Sequence, residues 1–118
     1  MKKVDSLPLP TVDGLLLTRP DLAVEWHYSV RQLCELMTRV ASLPLMSVNP
    51  GVADPSAFEH VAYKGGSDTG IINLTTALTT KQGTKLCFSA TLNDANKNVD
   101  DDLFERTYSS ALPFLAKL

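Results

Sequence analysis

Residues 58–94 read FEHVAYKGGSDTGIINLTTALTTKQGTKLCFSATLND, and the fold class turns on how this stretch divides. It is dense in Val, Ile, Thr, Tyr and Phe, which suit the pleated, half-buried surface of a sheet. Phe58 to Tyr63 reads as one strand, Gly70 to Thr79 as a second and Lys85 to Leu92 as a third. Lys81-Gln82-Gly83-Thr84 separates the last two, with Gly83 free to take the positive φ that a tight hairpin asks for. Side chains alternate across a strand, so Ile72, Leu74, Thr76 and Leu78 share one face, as do Leu86, Phe88, Ala90 and Leu92. Both rows need a helix over them.

Two helices are available. Ser29-Val30-Arg31-Gln32 fits a capping box, and Val30, Leu33, Cys34, Met37, Val40 and Ala41 recur at helical spacing, predicting a helix over 29–42 that Leu43-Pro44 stops. A loop follows over 44–56, with Asn49-Pro50-Gly51 as its turn. Downstream, Asp100, Asp101 and Asp102 suit the positive end of a helix dipole. Leu103, Phe104, Tyr108, Leu112 and Leu115 form the apolar stripe behind them, and Pro113 is placed to bend or interrupt the last turn. The expected fold is α+β: a three-stranded antiparallel sheet packed with an N-proximal and a C-terminal helix. Residues 1–27, which carry Pro8, Pro10, Pro20 and the Asp13-Gly14 turn, read as an extended arm, and 28–118 as the α+β part.

Composition narrows the function. A chain of 118 residues, 44% hydrophobic and 20% charged, is an ordinary globular domain with a modest core. A net charge of -2 and a pI near 5.6 offer no basic face for nucleic acid. Runs such as Leu15-Leu16-Leu17 are far too short to span a membrane. Met1-Lys2-Lys3 opens like a signal peptide, yet Asp5, Pro8 and Pro10 stand where an apolar segment should follow, so the chain as written reads as cytoplasmic. Cys34 and Cys87 are too few and too far apart for a disulfide framework. They read as two buried thiols, with Cys34 on the helix facing Cys87 on the strand as the alternative. Helix capping accounts for the acidic triplet without a metal, and His27 and His60 read as packed or part-exposed rather than catalytic. No cofactor motif is present, and Trp26, Phe58 and Tyr63 read as core or interface aromatics.

The stretch also carries candidate chemistry. Lys64 supplies fixed positive charge, Gly65 and Gly66 let backbone N–H groups approach a ligand, and Ser67 adds a hydroxyl, which together would receive a carboxylate or phosphate. The glycines follow the lysine rather than precede it, so this is no nucleotide P-loop. The bland alternative is a solvated lysine beside a glycine turn.

Lys64-Gly65-Gly66-Ser67 resembles the Lys-Thr-Gly box of penicillin-recognising serine hydrolases, the class A β-lactamase and D,D-peptidase superfamily, in a Lys-Gly-Gly-Ser form. The resemblance continues through Gly70 to Thr76, through Leu86 to Asp94 as the family's last strand, and into Asp101-Asp102-Leu103-Phe104 as the opening of its C-terminal helix. It implies that Lys64, Gly65, Gly66 and Ser67 bind the carboxylate of a β-lactam or peptide-like substrate, with Gly65 where the commoner box has threonine. It also implies work outside the cytoplasmic membrane, where family members usually act.

Two family boxes are missing. No serine here has lysine three places on, and neither Ser67-Asp68-Thr69 nor Tyr28-Ser29-Val30 completes the second box. The expectation is therefore the C-terminal portion of such a hydrolase, inactive alone, with a non-catalytic binding or assembly module of the same fold as the alternative. Further strands in the parent architecture would leave an open sheet edge here, so a homodimer or a complementing N-terminal segment is expected.

Overall fold

The computed structural model describes residues 27–118. The arm expected over 1–27 lies, His27 apart, outside the described residues, as does Trp26. The elements run α1 (Val30–Val40), a short 3-10 turn (Pro44–Ser47), β1 (Phe58–Asp68), β2 (Ile71–Thr80), β3 (Lys85–Asn93) and α2 (Asp101–Leu115). The strands form one antiparallel sheet in the order β1-β2-β3, giving the α+β arrangement that the sequence predicts.

Capping fixes both helix starts. At α1 the Gln32 backbone N–H donates to Ser29 Oγ at 3.2 Å, and the Ser29 N–H donates to Gln32 Oε1 at 2.9 Å. At α2 the Leu103 N–H donates to Asp100 Oδ1 at 2.8 Å, while Asp101 and Asp102 occupy the first turn. Pro113 lies inside α2 without ending it, because the helix runs on to Leu115.

The sheet register places Ile72 opposite Leu92, Leu74 opposite Ala90, Thr76 opposite Phe88 and Leu78 opposite Leu86. These rows share the face beneath α2, where Leu74, Leu78, Phe58, Tyr108 and Leu112 are buried together. The Phe88 and Tyr108 rings sit 4.7 Å apart between centroids. Two buried hydroxyls satisfy each other, since Thr76 Oγ1 and Tyr108 Oη lie 2.7 Å apart and Tyr108 Oη also donates to the Phe88 carbonyl at 2.8 Å. Leu103, expected in the α2 stripe, is instead 54% exposed.

Helix α1 covers the opposite face, which is polar. Asn73 Nδ2 donates to the Ala90 carbonyl and to Thr91 Oγ1, Thr75 Oγ1 donates to Asn73 Oδ1, and Thr75 and Ser89 hydroxyls meet at 2.7 Å. Of α1 only Met37 is buried, and Val30, counted on its apolar face, is 44% exposed. A covalent bond makes up for this sparse burial. Cys34 of α1 and Cys87 of β3 form a disulfide, which corrects the expectation of two free thiols: helix and strand bring the Cα atoms within 5.7 Å across a separation of 53 residues.

The turns depart from expectation at one place. The glycines of Lys64-Gly65-Gly66-Ser67 do not form the bend, because β1 continues through them to Asp68. The β1-β2 connection is Thr69-Gly70, with Gly70 at φ +78° and so close beneath β3's end that an added Cβ would stand 2.4 Å from the Asp94 carbonyl oxygen. Gly83 takes φ +87° in the second hairpin, as expected.

Candidate functional site

Because the box lies in extended backbone, its side chains part to opposite faces. Lys64 pairs with Thr75 and Gly66 with Asn73 on the α1 side, while Gly65 pairs with Leu74 and Ser67 with Ile72 on the α2 side. The four residues are thus a rib with two faces rather than a glycine turn. Strand β1 is paired on one edge only, by β2. Along its other edge no strand lies among the described residues; there the 3-10 turn packs against β1, with Leu45 on one side of the box and Met46 on the other.

A cavity opens on each side of the rib. One, of about 430 Å³, is bounded by the box, by Tyr63, by Leu45 and Val48 of the segment after α1, and by Glu105 of α2. The other, of about 360 Å³, lies beneath α1 between Leu33, Met37 and Met46 and is almost wholly apolar. Lys64, Gly65 and Gly66 line both. The wall at Leu45 and Val48 is held out by the loop behind it, where Asn49 Nδ2 donates to the Ala53 carbonyl and Asn49 Oδ1 accepts from the Gly51 and Ala53 N–H groups.

Lys64 is exposed, and its Nζ donates to the Gly65 carbonyl oxygen. No acidic partner neutralises it among the described residues, whose ion pairs are Arg31–Glu35, Lys81–Glu59 and Lys97–Asp94. Its charge therefore stays available to an anion at the cavity mouth. Glu105 lines the same cavity, and its carboxylate acts on the Tyr63 phenol, so the Tyr63 side of the cavity favours neutral or cationic groups over a bare anion.

The two glycines differ. Around Gly66 an added Cβ would meet nothing within 4 Å, so its backbone can be approached closely. At Gly65 an added Cβ would lie 2.1 Å from Tyr63 Oη and 3.1 Å from Leu74 Cδ2, so this position is filled by its neighbours. Tyr63, two residues back on the same face, lays its ring over Gly65, an arrangement by which an aromatic covers a glycine in an edge strand. Burial holds its phenol above the ordinary tyrosine range, and the Glu105 carboxylate adds to that.

Sequence reasoning found the box and missed its surroundings. Tyr63 read only as a core or interface aromatic, although an aromatic and a glycine two apart on a strand are a recognisable signal. Leu45, Val48 and Glu105 carry no motif, and only the fold brings them to β1. His60 lies on the Ala62 side of β1, exposed and away from the box beside Lys85 and Cys87. Asp100 caps α2, and no cluster of three or more metal-ligating side chains occurs among the described residues. No described helix is long and apolar enough to cross a membrane. Comparison with protein-family models, with curated proteins and with solved structures finds no match to this chain.

Proposed function

We propose that this chain is the carboxylate-recognising portion of a β-lactamase-like, penicillin-recognising serine hydrolase, binding a β-lactam or peptide-like acid without hydrolysing it alone. One observation carries the reading: an exposed lysine with no acidic partner among the described residues stands on a strand that no other strand pairs on its outer edge, beside a glycine whose missing Cβ leaves its surroundings clear, at the mouth of a cavity of about 430 Å³. A bound carboxylate would meet the Lys64 ammonium in a charge-assisted hydrogen bond, and the ligand's amide backbone would add to the outer edge of β1 as a further strand. Leu45 and Val48 offer apolar cover for a side group. Acyl transfer needs an activated serine, and these 118 residues contain no Ser-x-x-Lys, so the nucleophile would come from another segment.

Benzylpenicillin titrated into isotopically labelled protein tests this through the Gly65 and Gly66 amide signals. We expect saturable shifts, weakening of about tenfold or more in Lys64→Ala, and no comparable binding of the benzylpenicillin methyl ester. Unmoved amides, or an ester bound as well as the acid, would reject the reading.

The alternative, an assembly module of the same fold, draws support from the β1 edge that no described strand pairs and from Leu45 and Val48, which are 81% and 62% exposed. On either reading the edge suits a second copy or a complementing segment. Light scattering should return a dimer mass at micromolar concentration, and a monomer there would remove the self-pairing form.

A further inference from the structure

We infer that Tyr63 is a further binding residue of this site, its phenolic hydroxyl serving in the place of the side-chain hydroxyl that Gly65 lacks. The inference rests on the carboxylate-binding reading above and adds to it a donor that the box itself does not contain.

Where this chain has Gly65, the commoner form of the box carries a threonine, whose hydroxyl would project from the α2-side face of β1. In this chain that space is occupied: Tyr63 Oη stands 2.1 Å and Tyr63 Cζ 2.9 Å from where a Cβ on Gly65 would be. Glycine at 65 is thus required by the ring rather than by any unusual backbone, since Gly65 has no positive φ and pairs regularly with Leu74.

Two polar groups then reach one residue, and a third follows along the strand. The Lys64 ammonium reaches Gly65 from the α1 side through its carbonyl, the Tyr63 hydroxyl reaches it from the α2 side, and Ser67 follows two positions on along the Tyr63 face. Tyr63, Lys64 and Ser67 all line the larger cavity. Among the described residues the Tyr63 hydroxyl has no hydrogen-bond partner, unlike the Tyr108 hydroxyl, which has two. Its proton is free for a ligand oxygen. Burial and the neighbouring Glu105 carboxylate both favour the protonated phenol, so the group remains a donor throughout the neutral range.

The test again reads benzylpenicillin binding by amide shifts. Tyr63→Phe keeps the ring over Gly65 and removes only the hydroxyl, and should weaken binding about tenfold. Tyr63→Ala should weaken it at least as much, and Tyr63→Ala combined with Gly65→Thr should recover most of the loss, because the threonine enters the space the ring has left. A structural role alone would not produce that recovery. If Tyr63→Phe binds as the parent does while Lys64→Ala is weakened, Tyr63 is no ligand-binding residue and the carboxylate site stands without it. If the double substitution folds, by its dispersed amide spectrum, and recovers nothing, the hydroxyl replacement is rejected as well. A parent protein that does not respond to millimolar benzylpenicillin removes both readings together.

Discussion

The two faces of the sheet are held by different physics. Beneath α2, Leu74, Leu78 and Leu112 are nearly inaccessible, the buried hydroxyls of Thr76 and Tyr108 satisfy one another and the Phe88 carbonyl, and the buried Thr80 hydroxyl accepts from the Thr84 N–H. Beneath α1 the strands present Asn73, Thr75, Ser89 and Thr91 joined in a hydrogen-bonded ladder, with Met37 as the helix's single buried side chain. Burial of apolar area is the dominant favourable term for a packed face, so the first should persist by itself. The second has little of it and carries instead a covalent tie, Cys34–Cys87. A three-stranded sheet can keep a helix on a polar face when a bond supplies what burial does not.

Breaking that tie is the largest test of the contrast. Closing a loop of 53 residues removes chain entropy from the unfolded state worth about 4 kcal/mol. Cys34→Ser with Cys87→Ser should therefore lower Tm by roughly 15 °C or more. Hydrogen exchange should show α1 amides losing protection first while β2 and α2 keep theirs. Equal loss on both faces would mean that the sheet folds as one unit and that the contrast is only one of composition. The same bond bears on where the chain works: we propose an oxidising compartment rather than the cytoplasm, since such bonds do not persist among cytosolic thiols. Alkylation of the protein freshly released from its cells should find both cysteines blocked.

The contrast also explains what could be read from the sequence. The α2 face was legible because Ile72, Leu74, Thr76 and Leu78 alternate with polar residues, and a period of two with an apolar row specifies a buried face. The α1 face shows the complementary row, Asn73, Thr75, Ala77 and Thr79, which by the same rule reads as solvent-facing. Nothing in its composition announces the helix above it, and the sequence offers the approach of Cys34 to Cys87 only as the alternative to two free thiols. The candidate site was legible in the same partial way. Lys64-Gly65-Gly66-Ser67 is visible as a motif, but glycine and serine read as a turn, whereas pairing with Leu74, Asn73 and Ile72 keeps the segment extended. The bend moves to Gly70, the glycine whose φ is +78° and whose missing Cβ makes room for the Asp94 carbonyl. Once the box is a strand, alternation separates Lys64 from Ser67, a consequence that no local reading of a turn could give.

Titration of Tyr108 probes the apolar face with a smaller effect than the disulfide does. Burial pushes the Tyr108 phenol from the ordinary 10.0 up to about 12, although its hydrogen bond with Thr76 acts the other way. Between those values the unfolded chain gives up the phenolic proton and the folded chain keeps it, so rising pH favours unfolding. The stabilisation is complete below pH 10 and is lost as pH rises toward 12, amounting to about 3 kcal/mol. Tyr63, also shifted upward, adds a contribution of the same sign. Denaturant unfolding from pH 8 upward should show this fall. Tyr108→Phe behaves differently at the two ends of the range. At pH 8 it should be less stable than the parent by about 1–2 kcal/mol, because the buried Thr76 hydroxyl loses its partner. Near pH 12 the gap should close, since the variant has no proton to lose at this site. Parallel curves for the two proteins would show that the Tyr108 hydroxyl already meets water in the folded state, and the α2 face would then be less dry than its packing indicates.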